Sequence, residues 1–174
     1  MNHRALAVAA LLLGALAPFA GSPYRSRHDA MDVQQLAAQV AGEEDHVTAL
    51  ELAAWIKDRK PNLRIIDLRP AAEFDEYHVP RSEPMSLEQL LSAHFATDET
   101  IVLISDGGAH AAQGWVFLRA LGHEQVYFLR GGLGEWLADV MNPPKTTELS
   151  RYFGGTARGN RDVDDIAKMR RRGC

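Results

Sequence analysis

The 174-residue chain holds a single cysteine, and that residue, Cys174, is its last. One cysteine excludes an internal disulfide and a cysteine-rich metal site. The seven histidines never fall at a helical metal-ligand spacing, so no metal is expected. A P-loop and a G-x-G-x-x-G are both lacking, and no cofactor is expected. The chain also lacks a large excess of one charge. Its formal net charge of -4 gives no basis for a nucleic-acid partner. There is no internal repeat and no low-complexity tract. With 46% hydrophobic and 24% charged residues, the composition suits one globular core, and the length suits one domain with an extension at each end.

Among what is present, an apolar run comes first. His3 and Arg4 precede Ala5–Ala20, which only Gly14 and Pro18 interrupt. A short positive start followed by such a run reads as a secretory signal or an N-terminal membrane anchor over residues 1–23. The run has no polar face and does not read as a helix of a globular core. Cleavage after Ala17 puts Pro18 just beyond the bond. Cleavage after Ala20 puts Pro18 three residues before it, where a small residue is wanted. Both forms, soluble after cleavage or anchored, therefore stay open. Either way the chain is expected to be exported to the cell envelope, the periplasm if bacterial.

Residues 24–46 read as a linker and a short helix. Asp29 or Asp32 is the candidate cap, and Val33, Leu36, Ala37 and Val40 form one stripe. Thr48 and Glu51 make a capping box for a helix with Leu50, Ala53, Ala54 and Ile56 at helical spacing, stopped by Pro61. Leu63–Leu68 is rich in β-branched residues and predicts a strand. Ser86 opens a helix with Leu87, Leu90, Leu91 and Phe95 inward. Ile101–Ile104 is a continuous apolar run, as in a strand buried on both faces of a parallel sheet. A helix over Ala111–Leu121 stops at Gly122. Val126–Leu129 predicts a third strand, and Gly131-Gly132 leads into a helix holding Trp136. Strands alternating with helices imply an α/β fold with a parallel sheet. After Pro144 the pattern dissolves, so residues 141–174 read as a largely irregular basic tail.

Three stretches stand out, in this order. The first is Asp67-Leu68-Arg69, Glu73-Phe74 and His78-Val79-Pro80. The second is Ile101–Ile104 followed by the loop Ser105, Asp106, Gly107, Gly108, Ala109 and His110. The third is Gly122-His123, Val126, Leu129, Gly131-Gly132 and Trp136. Together they resemble the rhodanese-like domain family. The resemblance covers residues 47–140 and implies a single rhodanese-like domain, with a parallel sheet flanked by helices and an active loop between a strand and the next helix. Asp67, Arg69, Glu73, His78 and Pro80 read as residues that hold the turn after the strand, since buried charges persist when paired. Gly131, Gly132 and Trp136 read as turn and packing residues.

The departures bear on chemistry. By the resemblance, Ser105 stands where the family has its sulfur-accepting cysteine, and His110 where it has arginine. Ala111 stands where a small hydroxyl residue often follows. Tyr77 replaces a glycine, and Arg81-Ser82 replace a Gly-Ala pair. Sulfur transfer needs a thiolate that attacks a sulfur donor and then carries a persulfide, with loop amides and a helix N-terminus lowering the thiol pKa. A serine hydroxyl is far less acidic and has no persulfide equivalent, so no catalytic residue is expected in this loop. Leu103–Gly107 matches only half of a G-x-S-x-G elbow, which speaks against a serine hydrolase. Gly107 and Gly108 amides at a helix start suit a small anion, and Asp106 opposes one. The expected function is a non-catalytic binding or regulatory module for a protein or a small anion. The alternative is a sulfurtransferase or thiol-redox protein using Cys174. That residue follows Arg170, Arg171 and Arg172, which favour the thiolate, and could link two chains by a disulfide.

Overall fold

The computed structural model describes His3 and residues 33–158. The apolar run Ala5–Ala20, the candidate caps Asp29 and Asp32, and Cys174 with its neighbouring arginines lie outside the described residues. Among the described residues, no helix is long and apolar enough to cross a membrane.

Helix α1 spans Val33–Ala41. Its expected apolar stripe does not enter a core: Val33 and Val40 are exposed, and only Leu36 packs against buried residues. Strand β1, His46–Val47, comes next, and Thr48 then caps helix α2, Ala49–Lys57. The capping box forms as expected. The Glu51 amide donates to Thr48 Oγ1 at 3.2 Å, and the Thr48 amide donates to the Glu51 carboxylate at 2.8 Å. That backbone bond, with a second from the Thr48 hydroxyl, lowers the Glu51 pKa. The buried face is Ala49, Leu52, Ala53 and Ile56, whereas Leu50 is exposed. Ala53 and Ile56 of the expected stripe are thus buried and Ala54 is half-buried, while Ala49 and Leu52 take the inward place expected of Leu50.

The remaining elements are β2 (Leu63–Asp67), α3 (Ala71–Glu76), β3 (Ser82–Pro84), α4 (Leu87–Ser92) and β4 (Thr100–Ile104). They are followed by α5 (Ala109–Ala120), β5 (Val126–Leu129), α6 (Gly132–Trp136), a π-helical turn over Leu137–Met141, and α7 (Glu148–Tyr152). The five strands form one parallel sheet in the order β1-β5-β4-β2-β3. Successive side chains of a strand point to opposite faces. Ile65, Val102 and Ile104 accordingly join one buried cluster with α2 and Trp136, while Ile66, Ile101 and Leu103 join another with Leu90, Trp115 and Leu118. All five residues of β4 are buried, which accounts for the apolar run that follows Thr100.

Two strands and one helix before β4 escape the sequence pattern. β1 has two residues, β3 is polar, and α3 buries no side chain. In α4 only Leu90 is buried, while Leu87 and Leu91 are exposed, so the expected four-residue inward face shrinks to one residue plus Phe95 beyond the helix end.

The chain does not dissolve after Pro144 as expected. Thr147 caps α7 in a polar box with Ser150, which is fully buried. Leu149 and Phe153 pack on the first cluster, and Phe153 meets Trp136 edge-on at 5.1 Å between ring centroids. Lys57 on α2 pairs with Glu148 at 2.6 Å. These contacts hold the segment on α2 mainly through apolar burial, since exposed ion pairs contribute little. Replacing Phe153 by alanine is expected to lower unfolding stability by about 2–3 kcal/mol, part of the cost of a fully buried aromatic, as read by urea denaturation.

Candidate functional site

Strand β4 ends at Ile104, and the loop Ser105–Gly108 leads directly into α5. Ser105 is only 3% exposed. Its hydroxyl oxygen accepts a hydrogen bond from the Ala111 amide in the first turn of α5, at 3.2 Å. That bond takes up one of the amides a helix start leaves unpaired. Asp106, Gly107, Ala109 and His110 are exposed, and Gly108 is buried in a left-handed conformation at φ 90°.

The loop is fixed from behind by the first turn of α6. The Leu133 amide donates to the Ser105 carbonyl at 2.9 Å, and the Gly134 amide donates to the Asp106 carbonyl at 3.3 Å. Gly131 and Gly132 both adopt positive φ, 64° and 57°. A Cβ at Gly132 would collide with the carbonyl oxygens of Ser105 and Asp106. Gly132 therefore serves as the bed of the loop as well as a turn residue. Gly132→Ala should cost about 3 kcal/mol or more, combining left-handed strain with a backbone clash. Urea denaturation measures it.

A second set of groups holds the segment after β2. Asp67 is fully buried and accepts from Arg69 Nε at 3.0 Å and Nη2 at 2.7 Å, a two-pronged pair. Arg69 Nη2 also donates to the Tyr77 carbonyl at 2.7 Å, and Nη1 lies 3.8 Å from the Glu73 carboxylate. His78 stacks on Phe74 with centroids 4.0 Å apart, and its Nδ1 donates to the Phe74 carbonyl at 3.0 Å. Pro80 is exposed in the turn before β3. Tyr77 uses its bulk: its hydroxyl accepts from Trp136 Nε1 at 2.9 Å, joining this segment to α6. Burial raises the Tyr77 pKa, so the phenol keeps its proton.

Sequence spacing gave no sign that Glu73 meets the loop. Partial burial raises the Glu73 pKa, and the neighbouring Asp106 carboxyl raises it further, both by its charge and through a hydrogen bond. The Arg69 guanidinium, 3.8 Å away, works in the opposite direction. Folded Glu73 binds its proton more tightly than the unfolded chain does. Its contribution to stability is therefore fully present below the ordinary glutamate pKa and is lost as pH rises through the folded value. Glu73→Gln should raise the melting temperature at pH 7 by about 1 °C or more. That gain should vanish in thermal melts at acid pH, below the ordinary glutamate range.

No curated protein matches the chain. Among solved structures it is similar to a rhodanese-like domain from Anabaena sp., with 22% identity and a TM-score of 0.49 over 69% of this chain and 87% of that one. It is similar to the reduced CoADR-RHD of Bacillus anthracis, with 18% identity and a TM-score of 0.50 over 59% of this chain and 18% of that one. It is also similar to the single-domain sulfurtransferase RDL2 of Saccharomyces cerevisiae, with 17% identity and a TM-score of 0.47 over 53% of this chain and 88% of that one. Such identities speak to fold alone. The family match is more direct, because the Rhodanese-like domain matches residues 48–139, just over half the chain, and spans both the loop and its Gly131-Gly132 support. This chain belongs to the rhodanese-like domain family.

Proposed function

We propose that this is an exported rhodanese-like domain whose β4–α5 loop does not transfer sulfur, and that it acts as a binding or regulatory module in the cell envelope. The observation that carries the reading is Ser105. The residue at the head of the loop is a buried hydroxyl that accepts from the Ala111 amide. In the family pattern this position supplies the thiolate, which here has no counterpart. A serine alkoxide is out of reach at neutral pH, and no base stands in hydrogen-bond contact with the Ser105 hydroxyl among the described residues. The Glu73–Asp106 carboxyls add to the argument, since nearby negative charge opposes both an anionic nucleophile and an anionic sulfur donor. Export rests on His3, Arg4 and the apolar run Ala5–Ala20.

The test supplies thiosulfate and cyanide and follows thiocyanate. The full chain is expected to give no turnover above background, and Ser105→Ala should leave that result unchanged. Turnover by the full chain that disappears in Ser105→Ala would overturn the reading. Turnover that survives Ser105→Ala but is lost in Cys174→Ser would move the chemistry to the C-terminal thiol.

A further inference from the structure

An open cleft of about 590 Å³ is lined by Ile56, Arg59, Pro80, Arg81, Tyr152 and Phe153. That volume is in the range of small-molecule sites. No residue of the Ser105 loop lines it. Three separate parts of the chain build it: the end of α2, the turn before β3, and α7 with the residue after it. The last of these lies beyond the stretch that matches the family.

Two features distinguish this cleft. First, its only charged lining residues are two arginines, and no carboxylate lines it. Among the described residues neither arginine side chain has an ion-pair or hydrogen-bond partner, although five of the seven ion pairs found there use an arginine. Second, both arginines are held in the left-handed backbone region, Arg59 at φ 54° and Arg81 at φ 69°. Only four non-glycine residues among those described have positive φ, and two of them line this one cleft. An L side chain is strained there, and such strain concentrates at binding sites. The walls are apolar and aromatic: Ile56 is buried, and the Tyr152 and Phe153 rings meet edge-on at 4.9 Å.

We infer that this cleft binds a small anion carrying a flat apolar ring, such as an aromatic phosphate, sulfonate or carboxylate. The guanidinium groups of Arg59 and Arg81 take the anionic end, for which their planar donor forks are suited. Tyr152 and Phe153 take the ring. The inference goes beyond the reading of Ser105 and does not depend on it.

Phenyl phosphate and inorganic phosphate, titrated separately into the full chain by calorimetry, form the test. Phenyl phosphate should bind in the millimolar range or better, about tenfold or more tighter than inorganic phosphate. Arg59→Gly and Arg81→Gly should each weaken phenyl phosphate by about tenfold or more. Because glycine relieves the left-handed backbone, each variant should melt no lower than the parent, so lost binding cannot be put down to misfolding. Failure of phenyl phosphate to bind, equal affinity for the two probes, or binding that survives both substitutions would overturn the proposal. A glycine variant that melts lower than the parent would overturn the strain argument on which the two arginines were chosen.

Discussion

The Asp67–Arg69 pair sits where the sheet delivers its chain to the loops. Asp67 closes β2, which lies between β4 and β3 in the sheet. The Asp67 carbonyl accepts from Met85, and the next amide, that of Leu68, donates to Ile104. Two ions buried at this point carry a desolvation cost that only good geometry offsets, and removing one partner of such a pair typically costs about 3–5 kcal/mol. The geometry here is good, with two prongs between the ions and a third donation to the Tyr77 carbonyl. Through Tyr77 the pair reaches Trp136, and through Trp136 it reaches Phe153 and the C-terminal segment. One buried charge pair thus ties the end of β2 to Tyr77 and, through it, to Trp136 and Phe153.

The loop after β4 inherits that rigidity. Its carbonyls are held by the amides of Leu133 and Gly134, and its bed is a glycine with no room for a side chain. A loop so restrained gains nothing in packing from a thiol over a hydroxyl, so a serine costs the scaffold little. What changes is acidity and nucleophilicity. A framework kept intact around a residue unsuited to sulfur transfer is the physical basis for reading the domain as a binding module.

The parts of the fold legible in the sequence were those with a strong local signature. β4 was read from four consecutive apolar residues, α2 from Thr48 and Glu51, and the loop from its place between a strand and a helix. The parts missed had none. β1 and β3 take their strand geometry from neighbours in the sheet rather than from their own residues. α7 was hidden because its anchors, Leu149 and Phe153, lie in a polar stretch and depend on Trp136, which is distant in sequence. In α1 the periodicity misled, since a stripe at helical spacing says nothing about whether a partner covers it. Within the site, Asp67, Arg69 and Gly132 were legible through the family resemblance. The meeting of Glu73 with Asp106 could not, because only the fold brings the two carboxyls together.

What we propose of the β4–α5 loop is that Ser105, which cannot supply a thiolate, denies it sulfur transfer. The most direct measurement is intact mass after incubation with thiosulfate, made on two proteins that both carry Cys174→Ser so that no other thiol is present. The protein with Ser105 should keep its mass. The protein with Ser105→Cys should gain the mass of one sulfur atom, removable by cyanide. Sulfur retained on the Ser105 protein, or a Ser105→Cys protein that stays unmodified, would contradict the account.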